Sequence, residues 1–153
     1  MLRTLFGQWH LIYTNFAMWK SGKAYNITFN YSPAEKNSEL CLLDEVKYMR
    51  GAGTQKKIRG YDFLDAVDTN RFVWHGVGVI FWIRCPWRVE WIDDAQTCIV
   101  LSFEKTLLTG GGVDVVCRDK NPPQETLSAA LAFIESHETL KQQAKGMIRT
   151  LQK

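Results

Sequence analysis

Few side chains in this 153-residue sequence have the type and spacing to do chemistry. His10, His75 and His137 are the three histidines, and each could offer an imidazole to a haem iron, for which histidine is the usual axial ligand. Four cysteines, Cys41, Cys85, Cys98 and Cys117, show no CxxC spacing, so in a reducing compartment they behave as small apolar residues. No nucleophile stands at a readable spacing from a base, no metal-ligand spacing is present, and no phosphate-binding loop occurs. Neither a metal nor a cofactor is expected. A binding function is the leading reading, with haem binding, or an enzyme acting on an apolar substrate, as alternatives.

The aromatic content carries more information. Six Trp, five Tyr and eight Phe, most of them before residue 104, either fill a core or line a cavity that grips an apolar ligand. Hydrophobic residues at 46% and charged residues at 23% exclude a disordered chain. The net charge is +3, and the densest basic cluster, Lys56, Lys57 and Arg59, is too short for a nucleic-acid face and reads as a solvated loop. No segment approaches the ~18 apolar residues of a transmembrane helix. The opening residues hold no apolar run followed by a cleavage site, so the cytoplasm is the expected compartment, or secretion if a leader has been removed.

The elements that must position these residues are mostly strands. Tyr25, Ile27, Phe29 and Tyr31 alternate with Asn26, Thr28 and Asn30, a period of two that puts rings on one face and amides on the other. Turn clusters divide the chain into strands at 9–16, 25–31, 38–49, 57–67, 72–82, 88–92, 98–105 and 113–118, with Cys85-Pro86 interrupting the fifth and sixth and Thr109-Gly110-Gly111-Gly112 turning into the last. Short connections exclude a parallel sheet and suit an antiparallel sandwich or up-and-down barrel, and closure removes the edges of so apolar a sheet. A helical tail follows. Asn121 is its predicted cap with Pro122 at the first helical position, and Leu127, Ala130, Leu131 and Ile134 form one apolar face. A break near Ser136-His137 leaves one helix or two open. The expected fold is all-β with a C-terminal helix, one domain over 1–153, with the barrel at about 7–119 and the tail at about 122–151.

At this point the chain resembles the lipocalins, an eight-stranded antiparallel up-and-down β-barrel family. Gly7-Gln8-Trp9 resembles the Gly-x-Trp that opens their first strand, with the Trp under the closed end of the barrel. Asp93-Asp94-Ala95 resembles their Thr-Asp-Tyr turn between strands six and seven, with Asp94 in place of the Asp. Arg118 ends the eighth strand, where the family has an Arg that packs over the Trp, and an amphipathic helix follows. The resemblance implies that Gly7, Trp9, Asp94 and Arg118 are structural, with a cation–π pair of about 0.5–2 kcal/mol between Arg118 and Trp9. It also implies carriage of a small hydrophobic molecule, such as a fatty acid, a retinoid-like isoprenoid or a tetrapyrrole. The departures at Asp93 and Ala95 mark an outlying member.

An eight-stranded barrel is wide enough for one small ligand. Alternation from Trp9 points Leu11 and Tyr13 inward; Ile27, Phe29 and Tyr31 follow on the second strand, Trp74 on the fifth, and Ile99, Leu101 and Phe103 on the seventh. Gly76 and Gly78 are read as leaving space inside. The sixth strand has two registers. One points Arg88, Glu90 and Ile92 inward, where Arg88 could meet a ligand carboxylate; the other points Val89 and Trp91 inward and leaves Arg88 in solvent. The expected ligand-binding set is Leu11, Tyr13, Ile27, Phe29, Tyr31, Trp74, Arg88, Leu101 and Phe103. The oligomeric state is not legible.

Overall fold

A computed structural model describes residues 1–108 and 110–153. Thr109, placed in the turn before the last barrel strand, lies outside the described residues. Eight strands run antiparallel in chain order: β1 (Gly7–Thr14), β2 (Ala24–Lys36), β3 (Glu39–Arg50), β4 (Thr54–Leu64), β5 (Arg71–Gly76), β6 (Arg84–Ile92), β7 (Cys98–Phe103) and β8 (Gly112–Cys117). β8 pairs with β1, and β1 pairs with β2 from Gly7 opposite Tyr31 to His10 opposite Thr28, which closes the sheet into an up-and-down barrel.

Several boundaries differ from the sequence reading. β5 stops at Gly76, because the chain turns through a 3₁₀ segment at Gly78–Ile80 that packs back on the strand end. Gly78 therefore sits in an exposed turn and opens no space in the barrel. Cys85-Pro86 is part of β6, with Pro86 opposite Val73 and its carbonyl accepting the amide of Glu104. Lys57 and Arg59 lie on β4, as the strand expected at 57–67 had them, and since β4 starts at Thr54, Lys56 joins them there and the basic cluster is not a loop. Lys57 and Arg59 pair with Glu45 on the neighbouring strand, at 3.0 and 2.7 Å, and their hydrogen bonds hold that carboxyl down at about 2.

Three register shifts decide what faces inward, and the one in β2, between Tyr25 and Thr28, sets Tyr25, with Lys153 4.2 Å over its ring, apart from the inward Ile27, Phe29 and Tyr31. In β1 the register shifts between Leu11 and Tyr13, so Ile12 and Tyr13 both lie on the outer side, and Thr14 returns to the interior. In β6 the shift between Val89 and Trp91 puts Trp87, Val89 and Ile92 with the inner core and Trp91 outside. Neither of the two simple registers holds along the whole strand.

Two short helices, α1 (Leu2–Leu5) and α2 (Ala17–Lys20), flank β1, and the tail forms α3 (Gln124–Ser136) and α4 (Glu138–Gln143), broken at His137, whose backbone is extended. α3 buries Leu127, Ala130 and Ile134 against Cys98, Val100, Val113, Val115 and Cys117, the outward residues of β7 and β8. Phe133 stacks on Trp91 at 6.0 Å, which covers that outward indole. The predicted Asn121 cap is absent: the helix starts after Pro123, and the Asn121 amide donates to Asp119 Oδ1. Cys98 and Cys117 face each other beneath the helix, with their Sγ atoms 3.0 Å apart.

The last residues add an element not visible in the pattern. β9 (Ile148–Arg149) pairs with β1 at Tyr13 and Thr14. The Thr150 amide then donates to the Ile12 carbonyl, and the Asn26 amide donates to the Leu151 carbonyl. The tail thus occupies the seam where β1 and β2 diverge. Among the described residues, no helix is long and apolar enough to cross a membrane.

Candidate functional site

The floor of the barrel is built around Trp9. Its ring is fully buried and its Nε1 donates to the Leu5 carbonyl at 2.8 Å, tying it to the short α1 (Leu2–Leu5). The Arg118 guanidinium lies 3.6 Å above the Trp9 ring and donates to the carbonyls of Gln8 (3.1 Å) and Thr4 (2.8 Å). Gly7 has φ +98°, a conformation open to glycine, and a Cβ there would stand 3.1 Å from Arg118 Nη1.

Above this floor the barrel holds a cavity of about 380 Å³. Phe29, Val46, Ile58, Trp74, Trp87 and Phe103 supply most of its wall, with Phe16 and Trp19 from one end loop and Ile80 and Ile83 from another. Trp87 lies between Phe72, 4.5 Å away, and Tyr31, 6.0 Å away, in stacked geometry. Gly60 makes room for Trp74: a Cβ at Gly60 would fall 2.2 Å from the indole.

An eight-strand closed barrel, an indole under a guanidinium at one end and a helix across β7 and β8 form a specific combination. The fold matches solved structures over nearly the whole chain. Lobster apocrustacyanin A1 aligns with a TM-score of 0.70 at 10% identity, covering 99% of this chain and 79% of that one. The siderocalin Ex-FABP aligns at 0.68 and 12%, covering 98% and 95%. A bovine odorant-binding protein mutant aligns at 0.57 and 13%, covering 95% and 93%. The fold is that of the lipocalins. No family model matches the sequence, and no curated protein is recognisably similar to it.

Within this barrel the residues singled out from sequence fall into three groups. Phe29, Tyr31, Trp74 and Phe103 line the cavity. Leu11, Ile27, Ile99 and Leu101 are buried in the inner core but are not among its lining residues. Tyr13 and Arg88 lie outside. The β1 bulge turns Tyr13 to the outer face, where Arg149 lies 6.0 Å from its ring. Arg88 follows the inward Trp87 and pairs instead with Asp68 at 3.2 Å and Glu90 at 3.5 Å on the surface. The turn carboxylate also moves by one residue. Asp93, not Asp94, accepts the amides of Thr97 (2.6 Å) and Cys98 (2.8 Å), while Asp94 is exposed.

The histidines stand away from the cavity. His10 and His75 alternate with the inward Trp9 and Trp74, and His137 caps Phe133 between the tail helices, with Nδ1 2.8 Å from its carbonyl. Burial lowers the pKa of both His10 and His75.

Sequence reasoning missed three buried acids. Asp44 on β3, Asp62 on β4 and Asp114 on β8 are 6%, 0% and 1% exposed. Asp44 and Asp114 line the cavity. Asp114 accepts the Thr14 hydroxyl at 2.6 Å, and Asp62 accepts the Trp87 Nε1–H at 2.6 Å. Burial pushes the carboxyls of Asp62 and Asp114 up to about 7, against the smaller downward pull of those hydrogen bonds. Burial, then the charges of Asp62 and Glu45, holds Asp44 well above the usual carboxylate range. The Tyr31 phenol is raised too, first by burial and then by all three aspartates. The available signal was an acid within an apolar context: Asp114 interrupts Val113-Asp114-Val115-Val116, and Asp44 falls between Leu42 and Val46 on the inward alternation.

Proposed function

We propose that the chain binds and carries one small, mostly apolar molecule inside the barrel. The observation that supports this reading is the cavity itself, about 380 Å³ walled by aromatic and aliphatic side chains above a sealed floor. That volume lies within the range of small-molecule sites. Packed interiors do not normally keep a hollow of this size. Removal of ligand surface from water at roughly 25 cal/mol per Å² supplies the driving force. Neighbouring folds are consistent with it: one is named an odorant-binding protein, and another is a siderocalin described as having dual ligand specificities.

The ligand walls in this proposal are Phe29, Tyr31, Trp74, Trp87 and Phe103, with Leu11, Ile27 and Leu101 as packing beneath them. An alkyl chain or a small ring system of fatty-acid or isoprenoid type suits the volume. A tetrapyrrole would have to project through the mouth, and no histidine lines the cavity among the described residues to ligate a haem iron.

Trp74 and Trp87 report occupancy directly. Titration with octanol should quench or shift tryptophan emission saturably at one molecule per chain. Val46→Phe and Ile58→Phe, which put rings into the cavity, should abolish the change while leaving the fold intact. Absence of saturable binding to the wild-type protein, together with no co-purifying small molecule in native mass spectrometry, would overturn the reading.

A further inference from the structure

An apolar carrier has no use for three buried carboxyl groups, and removing them from water is costly unless a partner compensates. Here the compensation is incomplete. Asp62 Oδ1 has the Trp87 indole and Asp114 Oδ1 has the Thr14 hydroxyl, but Asp44 Oδ1 and Asp62 Oδ2 are buried with no hydrogen-bond partner among the described residues. Asp44 is more than nine-tenths buried and forms part of the cavity wall. The cavity is therefore apolar on most sides and acidic on one, with no Lys, Arg or His in its lining among the described residues.

Three explanations compete for this acidic side. A bare metal ion is one, but no three His, Cys, Asp or Glu side chains converge into a metal-ligating group among the described residues. Proton sharing among the carboxyls themselves is another. The third is a ligand that brings its own positive charge and hydrogen-bond donors. An ammonium group offers three donors and no acceptor, which complements unpaired carboxylate oxygens. Its hydrocarbon part would meet Phe29, Ile58, Trp74 and Phe103.

Resting on the carrier reading above, we propose that the ligand is an apolar primary amine, its ammonium seated at Asp44 on the acidic side of the cavity. Folding has already taken the carboxyls out of water, so binding adds the charge partner without repeating that cost. The titratable groups in the cavity lining, among the described residues, are Asp44 from β3, Asp114 from β8, Tyr31 from β2 and Cys85 from β6; Asp62 from β4, outside the lining, and Glu45 act on Asp44 by charge. The raised carboxyls are largely protonated below neutrality, so an ammonium must displace a proton to form its ion pair. Amine binding strengthens as pH rises, by up to about tenfold per pH unit while one carboxyl loses its proton.

The test compares octylamine, octanol and octanoate on the wild-type protein by tryptophan fluorescence and calorimetry at about pH 6 and about pH 8. Octylamine is expected to bind at least about tenfold more tightly than octanol at the higher pH. It should weaken toward the lower pH and release a proton, detected as a heat that changes with the buffer's ionisation enthalpy. Octanol should show neither effect, and octanoate should bind worst. Asp44→Asn should remove most of the amine's advantage over octanol, with a circular dichroism spectrum like the wild type's to show that the variant is folded. If octanol binds and octylamine binds no better, with no proton release, the carboxyls are a proton-sharing group and the amine proposal is overturned while the carrier reading stands. Tighter binding of octanoate would overturn it equally. If none of the three binds, both readings fall.

Discussion

The Trp87 indole donates at 2.6 Å to Asp62, whose side chain is wholly buried inside the barrel. Trp87→Phe should strip Asp62 Oδ1 of its donor. The hydrogen bond lowers the Asp62 pKa, so its loss raises that value further. We expect about 1–3 kcal/mol of lost stability at about pH 8, where the carboxyl is ionised, and a smaller loss at about pH 5, where it is neutral. Urea unfolding at both values measures the difference. An equal loss at both would assign the whole effect to the missing ring volume.

The same acids set the pH dependence of the wild-type protein. Asp62 and Asp114 sit at about 7 in the folded chain against a usual 3.8. Between about pH 4 and about pH 7 the folded state holds protons that the unfolded chain has released, so this contribution to stability is complete at the acid end and declines as pH rises through the window. Urea midpoints should fall across that range, and Asp114→Asn should flatten the fall. A midpoint that rises from about pH 4 to 7 in the wild type and is unaltered in slope by the substitution would contradict the raised values.

Arg118 holds the floor by stacking on Trp9 and bonding to Thr4 and Gln8. Arg118→Ala should cost about 1–3 kcal/mol and loosen α1. Arg118→Lys should recover little, since an ammonium lacks the planar fork that stacks and donates in two directions at once. Chemical denaturation and amide exchange over residues 1–9 test both variants; full rescue by Lys would show that charge alone matters.

Gly60→Ala should be destabilising by about 1–3 kcal/mol, because its methyl would overlap the Trp74 indole at 2.2 Å. Trp74→Leu in the same chain should relieve the overlap. The double variant is expected to lose less than the sum of the single losses, and strict additivity in a denaturation cycle would refute the contact.

Removal of residues 148–153 should uncover the seam between β1 and β2. The Asn26 amide, which donates to the Leu151 carbonyl, should lose its exchange protection, with about 1–3 kcal/mol of stability lost and the rest of the barrel intact. Unchanged protection at Asn26 would mean that the tail merely rests on the barrel.

Sequence alone determined the eight barrel strands, their antiparallel order and the helical tail, because period-two alternation and turn residues are local properties of a chain. It also brought Phe29, Tyr31, Trp74 and Phe103 to the inner face, since the register shift in β2 falls before Phe29, between Tyr25 and Thr28, and β5 and β7 carry none of their own. Tertiary structure decided the rest. One extra residue in β1 and one in β6 reverse the side on which Tyr13 and Trp91 fall, and only the pairing of neighbouring strands reveals such an insertion. The meeting of Asp44, Asp62 and Asp114 around Tyr31 was hidden for the same reason: they come from three strands up to 70 positions apart, and closure of the ring is what makes them neighbours.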